Sequence, residues 1–110
     1  MLDPFFVRTQ VKKEKVLKKV DPMQVTRLSA KKNYTTISLI DGGTYTVRAS
    51  LVSAMNNFPH GMFVKIDRAE VVSVFHIDNI AKDHLIMHGK TVSIARSYYK
   101  YVVSGIHIVE

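Results

Sequence analysis

Apolar and polar residues alternate most regularly in two neighbouring segments, residues 36–39 and residues 44–47. A period of two is typical of a half-buried β-strand. Between the two segments, Asp41-Gly42-Gly43 supplies residues that tolerate a positive φ angle, which short hairpin turns require. The pattern therefore predicts a β-hairpin.

Shorter apolar segments lie on both sides of this hairpin. Towards the N-terminus, Phe5-Phe6-Val7 and Val16-Leu17 flank the charged stretch Lys12-Lys13-Glu14-Lys15, which fits either a hairpin or the start of a short helix. After the central hairpin, Ser50 is well placed to cap a short helix over Leu51–Asn56. Periodicity alone leaves the first of these choices open.

The second half of the chain alternates short apolar segments with turn residues. Strands are predicted at Met62–Ile66, around Val71–Phe75, at His84–His88 and at Thr91–Ile94. Gly89-Lys90 is predicted to be the tight turn between the last two strands. Ser97–Ser104 fits a helix, in which Arg96 and Lys100, four residues apart, would share one face. We therefore expect a mainly β fold of short antiparallel sheets with one or two short helices.

Composition limits the class of protein. With 110 residues and 12.5 kDa, the chain has the size of one domain; we expect residues 1–4 to form a flexible N-terminus and residues 5–110 a single domain. Its apolar runs are a few residues long, whereas a membrane-spanning helix needs about 20. The N-terminal residues lack the features of a secretory signal, and the chain has no cysteine. These features predict a cytoplasmic protein.

Charge favours a polyanionic partner. Sixteen Lys and Arg residues against nine Asp and Glu residues give a net charge of +7 and a pI of about 9.8. Such a domain is attracted to nucleic acid through the release of counterions. A protein that binds a membrane surface would concentrate its cations on one amphipathic helix, whereas here they are spread over short β-like segments. Nucleic acid is therefore the favoured partner.

Basic residues recur at the ends of the predicted strands. Lys32-Asn33-Tyr34 precedes a strand of the central hairpin, Lys65 and Arg68 lie at the exit of a later strand, and Arg96 follows the last strand. Arginine can bond guanine with two donors, asparagine can pair with adenine, and lysine holds phosphates. A single basic residue is more often only a solvated surface charge. The prediction of a base-reading surface therefore depends on the joint placement of these residues.

Catalysis and metal binding have weaker support. Asp67 and Glu70 lie at a strand exit beside an arginine, so a solvated salt bridge explains them more simply than a catalytic carboxylate pair. His84 and His88 would share one face, but the glutamate of an HExxH motif and any cysteine are absent. We expect no enzyme activity, no metal site, no cofactor and no small-molecule substrate.

Tyrosines provide one further alternative, because single-stranded RNA readers stack bases on aromatic rings beside basic residues. The tyrosines that could do so are Tyr34, Tyr98, Tyr99 and Tyr101. A glycine flanked by closely spaced aromatics, as in an RNP-type motif, is missing, and packing in the core is the simpler role for most of these rings. RNA binding stays open as a third interpretation.

The order and spacing of several segments carry a family resemblance. In chain order they are Asp21–Leu28, Lys32-Asn33-Tyr34, Asp41–Leu51, Phe63–Val72 and Val92–Tyr98. Together they resemble a LytTR-type DNA-binding domain, a module found mostly at the C-terminus of bacterial response regulators, over nearly the whole chain. The resemblance implies an elongated arrangement of three antiparallel sheets with a small helix, double-stranded DNA as the ligand, and a role in bacterial transcription regulation.

The resemblance also implies which residues contact DNA. Asn33, Arg68 and Arg96 match the positions that contact bases in successive major grooves. The residues that match contacts to the DNA backbone are Lys32, Tyr34, Lys65, Ser97 and Lys100. Arginine at two of the three base-contacting positions favours target sites that contain guanine.

The chain departs from the family pattern at several positions. Asp67-Arg68-Ala69-Glu70 stands where His-Arg-Ser-Tyr is common, and Arg27 stands where an acidic residue is common. The two acids either weaken the grip on phosphate or orient Arg68 through a salt bridge. They also motivate an alternative function, a LytTR-like protein-interaction module with weak or no DNA binding.

The expected partners follow from the resemblance. No receiver domain precedes the module in this sequence, which predicts a free-standing regulator or an input domain on another chain. Tight binding is expected to need a homodimer on DNA or a separate regulatory protein.

Overall fold

A computed structural model describes residues 4–110 of the protein. The strands are β1 (Phe5–Val11), β2 (Glu14–Val20), β3 (Val25–Lys31), β4 (Tyr34–Leu39), β5 (Thr44–Val47), β6 (Phe63–Asp67), β7 (Glu70–Ser73), β8 (Asn79–Ile80), β9 (His84–Met87) and β10 (Lys90–Ser93). The helices are α1 (Leu51–Met55) and α2 (Tyr99–Ser104), and single 3-10 turns form at Pro22–Gln24 and Val74–His76. Three positions of the flexible N-terminus predicted for residues 1–4 lie outside the described residues.

The strands form three antiparallel sheets. β1 and β2 make a two-stranded sheet, β5-β4-β3-β7-β6 make a five-stranded sheet, and β10-β9-β8 make a three-stranded sheet. The mainly β fold with short antiparallel sheets and two short helices is as predicted. The pairing of β3 with β7, in which Leu28 lies opposite Val71, joins distant parts of the sequence. The molecule is elongated, with extents of 49 × 30 × 25 Å.

The charged stretch near the N-terminus is a hairpin turn and not a helix. Lys12 and Lys13 connect β1 to β2 with φ angles of 50° and 68°, as a two-residue type I′ turn requires. Val7 and Val20 of this hairpin are buried, and the Phe5 ring meets Phe58 edge-on with centroids 4.9 Å apart. These contacts fix the hairpin on the rest of the domain.

Two local predictions from the centre of the chain are confirmed. The alternating segments form the β4–β5 hairpin, with Ile37 opposite Tyr45. Ser50 is the N-cap of α1, where its Oγ accepts a hydrogen bond from the backbone N–H of Ser53 at 3.1 Å.

Several boundaries differ from the predictions by a few residues. The tight turn between β9 and β10 is His88-Gly89, with φ angles of 51° and 76°, so Lys90 already belongs to β10. The strand predicted around Val71–Phe75 ends at Ser73, whose Oγ caps the following 3-10 turn. α2 begins at Tyr99 and not at Ser97, because Ser97 has a φ of 74°, outside the right-handed helical region.

The start of α2 at Tyr99 changes the interpretation of Arg96. Since Arg96 precedes the helix, it does not share a helical face with Lys100. Both residues instead line one open cleft beside the loop that leads into α2.

The apolar core forms two clusters on opposite faces of the five-stranded sheet. One cluster packs β1, β2 and α1 onto the sheet and includes Val71, whereas the other packs α2 and β9 onto it and includes Val72. Successive strand residues point to opposite faces, so β7 contributes to both clusters. The sheet is therefore covered on both faces, by the β1–β2 hairpin on one and by the three-stranded sheet on the other.

Candidate nucleic-acid interface

Two hairpin turns emerge side by side at one end of the five-stranded sheet. Because β3 and β7 are antiparallel neighbours, the β3–β4 turn (Lys32-Asn33) and the β6–β7 turn (Arg68-Ala69) leave the sheet in the same direction. The backbone N–H of Ala30 donates to the Ala69 carbonyl at 2.8 Å, which holds the second turn against β3.

A third turn joins this end of the sheet. The backbone N–H of Ala95 donates to the Ile66 carbonyl at 2.8 Å, so the loop at residues 95–98 begins beside the end of β6. The N–H of Tyr98 donates to the Ala95 carbonyl at 2.9 Å and closes the turn around Arg96 and Ser97. We call these three turns, with the residues that adjoin them, the turn edge, and the opposite end of the sheet the distal edge.

All eight residues predicted to contact DNA are exposed and lie on or next to the turn edge. The three predicted base contacts, Asn33, Arg68 and Arg96, occupy one turn each. The remaining predicted residues are Lys32, Tyr34, Lys65, Ser97 and Lys100. Lys65 lies on β6 between the buried residues Val64 and Ile66 and therefore points away from their cluster. Lys100 is on α2, with its ammonium 5.3 Å from the Tyr101 ring.

Sequence reasoning missed two further cations at the turn edge. Arg48 follows β5, whose last residue, Val47, pairs with Thr35 directly beyond the β3–β4 turn. The Thr35 hydroxyl donates to the Ala49 carbonyl at 2.8 Å and holds this segment in place. The register of the predicted hairpin would have located Arg48 there. Lys82 lines the same open cleft as Arg96 and Lys100, and no local signal indicates it.

Three carboxylates lie at the distal edge, where Lys18 and Lys19 are also found. Asp41 lies in the β4–β5 turn, Asp21 precedes the 3-10 turn at Pro22–Gln24, and Asp78 accepts a hydrogen bond from the backbone N–H of His88 at 3.0 Å. These carboxylates are separated from the turn edge by the length of the strands. The turn edge carries Arg48, Arg68, Arg96 and several lysines against two exposed carboxylates, Asp67 and Asp83, so its excess of positive charge attracts a polyanion.

The two acids near Arg68 do not pair with it. Glu70 forms a salt bridge with Arg27, across the β3–β7 pair. Asp67 Oδ1 accepts a hydrogen bond from the backbone N–H of Ala69 at 3.4 Å. Within residues 4–110, no ion pair involves Arg68, so the salt bridge considered for orienting Arg68 is absent. Its guanidinium is available to an incoming ligand.

Three of the five histidines, His76, His84 and His88, make hydrogen bonds within the protein. His76 is buried, with Nε2 2.7 Å from the Met23 carbonyl and Nδ1 2.7 Å from His88 Nε2. The His84 ring lies 2.8 Å from Asp83 Oδ1, and this hydrogen bond lowers the pKa of the Asp83 carboxyl. Within residues 4–110, no group of three or more His, Asp or Glu side chains is arranged to hold a metal ion. In the same part of the chain, no helix is long and apolar enough to cross a membrane.

Comparison with known proteins agrees with this arrangement. The profile of the LytTr DNA-binding domain matches residues 15–106. A solved LytTr DNA-binding domain of a response regulator from Bacillus cereus is similar in structure, with a TM-score of 0.71 and 25% sequence identity over 92% of this chain and 95% of that chain. Comparison with curated protein sequences gives no match. The extent of the profile match establishes that the chain belongs to the LytTr DNA-binding domain family.

Proposed function

We propose that this protein binds double-stranded DNA in a sequence-specific manner and regulates transcription. The observation that carries the proposal is the alignment of three exposed turns along one edge, each with one side chain suited to reading a base. Arg68 and Arg96 would bond guanine O6 and N7, and Asn33 would pair with adenine.

The shape of the turn edge suits the major groove. That groove is about 12 Å wide and admits a two-stranded β-ribbon. Two of the three turns are the tips of antiparallel hairpins with two-residue connections. Narrow tips of this kind can enter the groove while the sheet remains outside.

Contacts to phosphate would fix the register of the protein on the duplex. The side chains proposed for this role are Lys32, Tyr34, Lys65, Ser97 and Lys100, which surround the three base-contacting residues. Such contacts carry affinity but no sequence information. Lys82 joins this set because it shares a cleft with Arg96 and Lys100.

We propose that a second copy or a partner protein adds to the affinity. One small module covers limited DNA surface, and two copies on half-sites one helical turn apart would increase it. Sedimentation of the protein with a duplex that carries one or two half-sites would give the stoichiometry.

The deciding experiment is the selection of bound duplexes from a randomised DNA pool. It compares the native protein with Arg68→Ala/Arg96→Ala and with the control Lys18→Ala/Lys90→Ala, which removes the same charge at exposed positions away from the turn edge. We expect the native protein and the control to enrich one short motif. The turn-edge variant should lose that motif while keeping its thermal stability.

Three outcomes would contradict parts of the proposal. If the native protein enriches no duplex at low salt, it does not read DNA sequence, and the protein-interaction function becomes the better explanation. If it prefers single strands, the tyrosines are the better candidates. If the turn-edge variant enriches the native motif unchanged, DNA binding stands but the base contacts are assigned to the wrong residues.

A further inference from the structure

A second pair of arginines lies next to the turn edge, outside the predicted contacts. Arg8 on β1 and Arg48 after β5 both line one cleft, together with Thr46. Both arginines are exposed, and no ion pair within residues 4–110 involves either of them. Two exposed arginines on one cleft are suited to a phosphodiester, because arginine presents a planar fork of donors to phosphate oxygens.

The hairpin that carries Arg8 is fixed in position. Val7, the neighbour of Arg8, is 6% exposed, and Phe5 packs edge-on against Phe58. Side chains alternate along a strand, so the burial of Val7 directs Arg8 to the outer face. Arg8 is therefore held by a packed element and not by a loose N-terminal arm.

Strand order gives the position of this pair relative to the three turns. The sheet runs β6-β7-β3-β4-β5, and β1 contacts β5 at its free edge. Arg68 is at the β6–β7 tip, Asn33 is at the β3–β4 tip, and Arg48 follows β5 at the same end. Arg8 comes next, on the hairpin packed against β5. The cations continue in the direction that leads away from Arg96.

We propose that Arg8 and Arg48 form an additional phosphate-binding site, which grips the DNA backbone beyond the base-reading turn at Asn33. The inference rests on the proposed function, since it names a further part of the same DNA interface. β1, which carries Arg8, lies before the profile match that begins at residue 15, whereas Arg48 lies within the match. Its contacts add affinity and salt dependence but no sequence preference.

The same hairpin provides a matched control. Lys18 and Lys19 of β2 line a different cleft, together with Asp41 and Tyr45, at the distal edge. Replacing them removes two positive charges from the same hairpin without touching the cleft of Arg8 and Arg48. The comparison separates a specific phosphate site from the general attraction of a basic hairpin.

The test measures dissociation constants for the selected duplex at several salt concentrations. It uses the full chain, as Arg8→Gln/Arg48→Gln, as Lys18→Gln/Lys19→Gln and as the charge-preserving Arg8→Lys/Arg48→Lys. Loss of two phosphate contacts makes the negative slope of log K against log salt less steep by about 1.8. We expect this change, with at least about tenfold weaker binding near 0.1 M salt, only for Arg8→Gln/Arg48→Gln. Circular dichroism and thermal unfolding verify that each variant is folded.

A second experiment shortens the duplex from either end and so tests whether the phosphate site lies on the Asn33 side of the interface. Removal of base pairs from the flank on the Asn33 side should weaken binding by the native protein and leave Arg8→Gln/Arg48→Gln unaffected. Removal from the Arg96 side should weaken both proteins equally. Equal sensitivity of both proteins to either flank would overturn the inference.

The outcomes distinguish this inference from the proposed function. If the native protein binds no duplex, the proposed function fails, and the phosphate site fails with it. If the native protein binds and both glutamine variants have the native slope, only the phosphate site is refuted. If the salt slope becomes less steep by the same amount in both glutamine variants, the hairpin attracts DNA through its overall charge, and the specific site at Arg8 and Arg48 is likewise refuted.

Discussion

Arg27 and Glu70, two departures from the family pattern, pair with each other. Arg27 Nη2 meets Glu70 Oε2 across the β3–β7 pair, where the side chains are 35% and 23% exposed. Burial lowers the pKa of the Arg27 guanidinium. Each residue compensates the charge of the other, so the unusual basic residue on β3 and the unusual acid after the β6–β7 turn are explained by one contact. Glu70 is therefore engaged within the sheet and does not confront the DNA as a free carboxylate.

The first prediction concerns this pair. Arg27→Met should lower the free energy of unfolding by about 1–3 kcal/mol, because Glu70 keeps a half-buried charge without its partner. The double variant Arg27→Met/Glu70→Met should recover most of that loss, since it removes both charges. Urea unfolding of the native protein, both single variants and the double variant gives the coupling energy. A double variant no more stable than Arg27→Met would mean that the pair is not coupled.

The second prediction separates base reading from charge at Arg96. Arg96→Lys keeps the positive charge but loses the two-donor fork that guanine requires. We expect an unchanged salt slope and about 1–3 kcal/mol less discrimination against a mutated base at the contacted position. Competition binding with single-base variants of the selected motif measures this discrimination. Arg48→Lys is the control and should keep full discrimination. If both variants discriminate like the native protein, Arg96 contacts no base.

The third prediction uses the unusual backbone of Lys32, whose φ is 55°. Lys32→Gly removes the ammonium, and glycine adopts this angle without strain. Removing this backbone strain stabilises the folded state by about 1 kcal/mol. The larger conformational entropy of glycine in the unfolded state offsets this gain, so the free energy of unfolding should change by less than about 1 kcal/mol. The salt slope should fall by about 0.9, the effect of one phosphate.

The matched control for this backbone effect is Lys13→Gly, in the β1–β2 turn, where φ is 68°. It should produce a similar change in unfolding free energy, measured in parallel by urea. An unaltered salt slope in Lys32→Gly would remove Lys32 from the proposed backbone contacts.

The fourth prediction concerns the packing of α2. A Cβ atom added at Gly105 would lie 2.6 Å from Val64 Cγ1. The backbone conformation of Gly105 itself suits any residue. Gly105→Ala should therefore cost about 1–3 kcal/mol of stability through overpacking between α2 and β6. Thermal and urea unfolding measure the loss. Combining it with Val64→Ala removes the obstructing methyl group, so the double variant should lose less than the sum of the two single losses. Additive losses would exclude this contact as the cause.

Local signals in the sequence predicted the β4–β5 hairpin and the cap at Ser50, because both depend on residues within a few positions of each other. The pairing of Leu28 with Val71 has no such signal. Yet that pairing brings the turns at Asn33 and Arg68 together. Without the family resemblance, the sequence indicates basic strand ends but not that they share an edge. Arg8 and Lys82 were missed for the same reason, since only tertiary packing brings them there, whereas the register of the predicted β4–β5 hairpin would have located Arg48.

The misplaced boundaries have a different cause. Positive φ angles are predicted at glycine, but His88 and Ser97 also adopt them, at 51° and 74°. Tertiary contacts impose the second, because Ala95 is tied to Ile66 on one side of the turn and to Tyr98 on the other. A helix pattern that includes Ser97 is therefore overruled by a turn that the surrounding structure determines.

Backbone hydrogen bonds between neighbouring strands fix the spacing of the turns at Asn33 and Arg68, at about 4.8 Å per strand. The distance between these two turns is therefore fixed by the sheet and does not adapt to the DNA. A base pair inserted between two contacted positions turns them by about 34–36° relative to each other, and a hydrogen-bonded sheet cannot stretch or rotate to follow. If the turns read bases as proposed, the duplex has to take up the mismatch, and the ease with which a sequence bends or twists then becomes part of the recognition, even at base pairs that no side chain touches.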